Sequence, residues 1–247
     1  MLSTGDAFLY AFSEIRNRPQ FWIFTALLYV LLGSIRDAFP KDAILEIAIL
    51  ISETFLNIIV AIAALKAIGN KEYNLVDIFP KPKIILKAYF LYILIGALGG
   101  IVLVVPTLLI FLSLSFKGLS TTLISSLILV IMFLILLLMF VKLFFAQYYL
   151  LDKQTTIWQT LKESWKDCNF KVVLSIIIAI VWMVSLSVPL YALDKILSKF
   201  YLHSTHIAVP IGIIACAHMY MQLQNRKTKE IVEQEKVVLQ DNDACEG

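Results

Sequence analysis

Long apolar stretches run along this chain, separated by short polar breaks. A helix needs about 20 apolar residues to cross about 30 Å of hydrocarbon. By that measure the pattern predicts six spans: residues 21–35 with one or two more on each side, 43–65, a third within 84–114, a fourth beginning near Thr121, then 172–193 and 207–223. The breaks are Arg36-Asp37 with Pro40-Lys41-Asp42, then Gly69-Asn70-Lys71-Glu72, Lys117-Gly118 and Asp194-Lys195. Helices are expected because each satisfies its own backbone groups in lipid. The predicted fold class is all-α: a polytopic membrane bundle of six transmembrane helices in three hairpins, with cytoplasmic interfacial amphipathic helices.

Two spans depart from a plain crossing. The third contains Gly99-Gly100 and Pro106, which predict a kink or a break. The fourth runs without interruption from Thr121 to about Leu151, roughly 45 Å at the helical rise, so it must tilt, bend or project. Lys142, followed by Phe144, Phe145, Tyr148 and Tyr149, points to projection into the interface, which favours snorkelling lysines and aromatic rings.

Three amphipathic segments precede spans. In 6–16, Ala7, Phe8, Ala11, Phe12 and Ile15 recur at helical spacing; 74–79 is short and closed by Pro80. In 155–168, Ile157, Trp158, Leu161, Trp165 and Cys168 fall on one stripe, with Lys162, Glu163, Lys166 and Asp167 off it. These read as helices lying flat among lipid headgroups, with Trp158, Leu161 and Trp165 as lipid-interface residues. The alternative is that they cap the bundle without touching lipid. Phe12-Ser13-Glu14 through Phe21 can be laid over Leu161-Lys162-Glu163 through Phe170, a repeat of interfacial helix, outward span and returning span used three times.

Composition narrows the class. Of 247 residues, 60% are hydrophobic and 16% charged, with mean hydropathy +0.85, against about 45–50% and about 25% in soluble domains. A cytosolic enzyme, a disordered chain and a disulfide scaffold all fit poorly. The net charge of +3 comes from scattered Lys and Arg, so no nucleic-acid partner is expected. Cys168, Cys216 and Cys245 form no CxxC pair and no even-numbered framework, and neither metal nor cofactor is expected. Asp6 and Glu14 interrupt the first apolar stretch, so the span from Phe21 is expected to both target and anchor the chain.

Charge sets orientation. Arg16, Arg18, Lys66, Lys71, Lys81, Lys83, Lys87, Lys153, Lys162, Lys166, Lys171, Arg226, Lys227, Lys229 and Lys236 fall on one side. Arg36, Lys41, Lys117, Lys195 and Lys199 fall on the other. This asymmetry of about three to one predicts a bacterial inner-membrane protein with both termini in the cytoplasm. The basic flanks of the interfacial helices then meet anionic lipids. The polar tail, 224–247, is expected to extend the last span as a helix and to end in disorder from Asp241.

Ionisable groups inside a span are functional candidates. Glu53 lies near the middle of the second span, Glu46 seven residues earlier and Asn57 four later, all on one face that Lys87 or Lys142 can approach. Glu46, Glu53, Asn57 and Lys142 thus form a candidate intramembrane polar face. It is either a proton- or cation-coupled site or a polar clasp between helices, the simpler reading. Glu53 is alternatively protonated, since desolvation raises a carboxyl pKa. His203 and His206 have HxxH spacing but no convincing third ligand. HExxH, GxSxG and acid clusters suited to Mg²⁺ are absent, which makes an intramembrane enzyme the weakest class. Gly96 and Gly100 form a GxxxG, the spacing of close helix approach to another span or to a second copy. The glycines and Pro106 can instead free carbonyls to line a cavity.

The order of motifs resembles uncharacterised bacterial integral membrane proteins related to the membrane domain attached to some glycerophosphodiester phosphodiesterases. The resemblance rests on Asn17-Arg18-Pro19-Gln20-Phe21-Trp22 after an amphipathic helix, on Asn74-Leu75-Val76-Asp77-Ile78-Phe79, on Val104-Val105-Pro106, and on Thr160-Leu161-Lys162-Glu163-Ser164-Trp165 leading through Asn169-Phe170. Thr107 and Cys168 stand where that family often has glycine. The resemblance implies a six-span helical domain and carries no phosphodiesterase activity, since the catalytic domain is not in this sequence. The expected function is a non-enzymatic membrane organiser whose partners are the lipid bilayer and another membrane protein or a second copy. The alternative is a small-solute or ion transporter using the Glu53 face.

Overall fold

The computed structural model describes the backbone of residues 2–39, 42–69, 78–79, 81–115, 127–197 apart from 129, 133, 136, 137 and 140, and 208–245. Among the described residues all regular structure is helical. The elements are α1 (Thr4–Asn17), α2 (Pro19–Ala38), α3 (Ala43–Ile68), α4 (Pro82–Ser115), α5 (Ala146–Lys153), α6 (Ile157–Asp167), α7 (Phe170–Leu197) and α8 (Ala208–Cys245). Three of the searched helical stretches, α2, α3 and Phe170–Ala192 of α7, are long and apolar enough to cross a membrane.

Local chemistry sets the helix ends. Ser3 accepts from the Asp6 N–H to cap α1, and Pro19 opens α2, where its missing N–H costs nothing. Asp42 caps α3 by accepting from the Ile44 and Leu45 N–H groups, both at 3.0 Å. Gln154 ends α5 in the left-handed region, φ 53°, with its N–H on the Leu150 carbonyl. Gln154→Gly removes that side-chain strain and is expected to stabilise the protein by up to about 1 kcal/mol. A thermal melt of the detergent-purified variant checks this, and an unchanged or lower midpoint contradicts it.

The backbone of α4 stays helical through Gly99, Gly100 and Pro106, so the expected break is absent. A single proline removes one rung of the ladder, and a helix in an apolar setting continues past it because ending there would free several more backbone groups. Conversely, the uninterrupted fourth helix is broken: Phe144 and Phe145 form a turn before α5 begins at Ala146. Its expected start near Thr121 lies outside the described residues, as does all of 74–79 except Ile78 and Phe79. The helix α8 continues to Cys245, past Asp241 where disorder was expected, through a stretch rich in the helix formers Glu, Lys and Gln.

The chain divides into two compact units, Met1–Ile78 with Trp182–Gly247, and Phe79–Val181. In the first unit α8 packs along α1 and α3 and also touches α2. Its core joins large side chains such as Trp22, Ile58 and Tyr220 to small ones, Ala61, Ala63 and Ala64 of α3 with Ala208, Ala215 and Ala217 of α8, which allow helices to approach closely. A Cβ placed on Gly212 would run into the Met183 side chain, whereas one on Gly96 would meet nothing within 4 Å. The Met183 side chain thus packs over Gly212, while the space beside Gly96 of the GxxxG is open in the single chain. In the second unit the core includes Phe145, Tyr148, Tyr149 and Leu150. These aromatics pack inward instead of forming the interfacial belt expected of them.

The outward faces are apolar. Phe24 and Leu27 of α2, Ile44, Ile47 and Leu50 of α3, and Val184 and Val188 of α7 are all exposed, Ile44 to 82%. Apolar surface this extensive is unfavourable against water and neutral against acyl chains.

Candidate functional site: a charged clasp and an inverted helix

Glu46, Glu53 and Asn57 do share a face of α3, and that face meets α2. Arg36 of α2 reaches both carboxylates, with Nε 3.0 Å from Glu46 Oε1 and Nη2 2.9 Å from Glu53 Oε2. Two turns earlier on α2, Tyr29 donates its hydroxyl proton to Asn57 Oδ1 at 2.5 Å. The side chains of Glu53 and Arg36 are 17% and 29% exposed, while Glu46 is 54% exposed. The cation is thus Arg36, which sequence reasoning left in the break after the first span. The signal was there: the chain turns back between Arg36 and Glu46, bringing their helix ends together.

The two lysines considered for this face each have a partner within the second unit. Lys87 Nζ donates to the Thr155 carbonyl at 2.9 Å. Lys142 Nζ donates to the Trp165 carbonyl at 3.3 Å and lies 5.5 Å from the centroid of the Trp165 ring. Lys142 thus engages α6, and within the first unit the face consists of Arg36, Glu46, Glu53, Asn57 and Tyr29. With two carboxylates and one guanidinium it carries one excess negative charge when ionised. It can hold two helices together or bind one proton or monovalent cation.

The second feature is α6, which is built inside out. Its buried residues are Thr160, Ser164 and Asp167, spaced along one polar stripe. Ser164 donates to the Lys142 carbonyl at 2.8 Å, the Thr155 and Thr160 hydroxyls pair at 3.0 Å, and Tyr149 donates to Asp167. The opposite face carries Trp158 at 79% and Trp165 at 46% exposure, with half-buried Leu161 between them. Lys162 and Lys166 flank this face, both exposed. A helix of a water-soluble domain buries its apolar stripe; this one buries hydrogen-bonded polar groups and presents its tryptophans outward. Cys168, expected on the tryptophan stripe, is fully buried beside Asp167. Burial pushes its thiol up to about 11, outweighing the pull of Lys142 and of the Ser164 hydrogen bond.

The segment 6–16 behaves differently. In α1 the residues Ala7, Phe8 and Ala11 are buried and the helix packs on α8. Ser3 and Gln222 exchange hydrogen bonds at 2.8 and 3.2 Å, and Tyr10 stacks on His218 at 4.6 Å. The Ala7, Phe8 and Ala11 part of the predicted stripe therefore caps the bundle, while Phe12 of the same stripe is exposed.

At the end of α1, Glu14 is buried beside Arg18, whose Nε lies 3.5 Å away, and near the buried indole of Trp22. Desolvation raises the Glu14 carboxyl above its ordinary value, against the opposing pull of Arg18 and of the Trp22 N–H. The folded state thus holds this proton more tightly than the unfolded one. The stabilising contribution is fully present below the unfolded pKa and is lost as pH rises through the raised folded value. Glu14→Gln is expected to flatten that pH dependence and raise stability at neutral pH. Melts across pH check this; a variant with the wild-type slope contradicts it.

No group of three metal-ligating side chains gathers among the described residues, and His203 and His206 lie outside them. No protein family model, curated protein or solved structure matches this chain.

Proposed function

We propose that the chain is a non-enzymatic, multi-pass protein of a bacterial inner membrane that organises the cytoplasmic headgroup layer through α6. The observation that carries this reading is the inverted polarity of α6: hydrogen-bonded Thr160, Ser164 and Asp167 inside, Trp158 and Trp165 outside, lysines at the flanks. An amphipathic helix of this kind lies in the interface plane and prefers anionic lipid. The six-span arrangement and the cytoplasmic termini belong to the same proposal. They are supported by the three long apolar helices, the charge asymmetry and the resemblance to the diesterase-linked membrane domain.

Tryptophan fluorescence of the protein in liposomes tests the α6 reading. Lipids brominated just below the headgroups should quench emission in the wild type, and replacing both Trp158 and Trp165 with Phe should remove most of that quenching. Equal quenching in the two proteins overturns it. For orientation, single cysteines at Ser204 and Asn70 are expected to label from outside and to be protected, respectively; the reverse pattern overturns the topology.

Transport over the Glu53 face is the second reading, favoured by the excess carboxylate of the clasp. Glu53→Gln separates the two. Lost flux in liposomes with normal protein accumulation supports transport, whereas loss of folded protein supports the clasp.

A further inference from the structure

The second unit contains a groove of about 320 Å³ between α4 and the turn leading into α5. That volume is at the lower end of the range of about 300–1,000 Å³ typical of small-molecule sites. Its walls are apolar, including Ile95, Leu143 and Phe144. The polar side chains lining it are Tyr92 and Gln147. The Tyr92 hydroxyl donates to Gln147 Oε1. With its oxygen taken by Tyr92, Gln147 keeps an amide N–H₂ as a donor at an otherwise apolar wall. Gly96 lines the same groove, and a Cβ there would meet nothing within 4 Å. The space opposite the GxxxG glycine is therefore open.

The groove has a charged end. Lys87 lies five residues before Tyr92, about 7–8 Å along the helix, and its Nζ bonds the Thr155 carbonyl just past the end of α5. Lys81 and Lys83, both exposed, stand at the start of α4, one to two turns before Lys87. From that end inward the order is cations, one amide donor, then an apolar channel. This matches the order of groups in a glycerophospholipid: anionic phosphate, ester carbonyl, acyl chain. We infer that this groove is a binding site for one acyl chain of an anionic glycerophospholipid, with the phosphate at Lys81 and Lys83 and an ester carbonyl accepting from Gln147. The inference rests on the chain being embedded in a membrane but not on α6 touching lipid.

Native mass spectrometry of the whole protein in detergent, titrated with dioleoyl phosphatidylglycerol or dioleoyl phosphatidylcholine, tests the site. Wild type should retain one phosphatidylglycerol in preference to phosphatidylcholine. Gly96→Phe fills the groove without a backbone clash and should weaken retention by about tenfold or more, since excluding even two methylenes costs that much. Lys81→Gln with Lys83→Gln should abolish the preference between the two lipids while leaving retention of phosphatidylcholine unchanged. Retention unaffected by Gly96→Phe overturns the proposal. So does a change of Gly96→Phe in oligomeric state alone, which would assign the groove to a second copy. Alkaline carbonate extraction of each variant is read in parallel. Release into the soluble fraction refutes the membrane reading itself, whereas a membrane-retained wild type without bound lipid refutes only the groove.

Discussion

Arg36→Leu is expected to destabilise the protein by about 2–3 kcal/mol. Loss of one partner leaves Glu53 17% exposed between α2 and α3 with no cation at its carboxylate. Breaking a fully buried ion pair costs about 3–5 kcal/mol, and the partial exposure of Arg36 lowers that figure. Two responses are open to Glu53: it takes up a proton, or the helices separate. The double variant Arg36→Leu, Glu53→Leu removes the orphaned charge and should recover more than half of the loss, because apolar replacements of a buried pair are often neutral. Thermal unfolding in a mild detergent gives both numbers. A double variant as unstable as the single one would show that the loss lies in packing and not in the stranded carboxylate. Tyr29→Phe, one step deeper on the same face, leaves the Asn57 carbonyl unpaired and should cost about 1 kcal/mol.

Asp167→Leu is expected to cost about 2 kcal/mol, since it removes the charged acceptor of the buried Tyr149 hydroxyl. Its larger effect is on the placement of α6. Asp167 and Ser164 are two of the three polar residues that fasten the inner face of this helix. With Asp167 gone, the neighbouring Cys168 should lose its shielding. In the wild type that thiol is buried and raised to about 11, so it should resist maleimide at mildly alkaline pH. In Asp167→Leu it should label readily, whereas Asp167→Asn keeps an acceptor for Tyr149 and should remain protected. Labelling of Cys168 in the folded wild type would contradict this account of α6.

Periodicity made much of the fold legible. Long apolar runs located α2, α3 and α7, and the polar break ending at Asp42 fell where α3 starts. The α3 face of Glu46, Glu53 and Asn57 was legible for the same reason, because residues seven and four apart lie on one side of a helix. The partner of that face was not. Charge counting placed Arg36 in a polar break, yet the guanidinium folds back along its own helix to reach two carboxylates. The aromatic run Phe144, Phe145, Tyr148 and Tyr149 misled for a related reason. Composition cannot distinguish a ring seeking the membrane interface from one filling a core, and Tyr149 is drawn inward by Asp167. In α1 and α6 the sequence offered similar stripes, and tertiary packing decided between them: most of the α1 stripe lies on α8, while the α6 tryptophans face out. Gly96 shows the limit of motif reading, since its spacing marks a surface without saying what fills it.

The central claim is that acyl chains, and not water, contact the outward faces of α2, α3 and α7. Nitroxide labels at Leu27, Ile47 and Val184, in liposomes and on a background with the native cysteines replaced by alanine, measure this by collision rates with oxygen and with a water-soluble nickel complex. At all three positions oxygen collisions should dominate and the nickel complex should be excluded. Nickel collisions in excess of oxygen at these positions would mean that the faces are bathed in water, and the membrane account would be wrong.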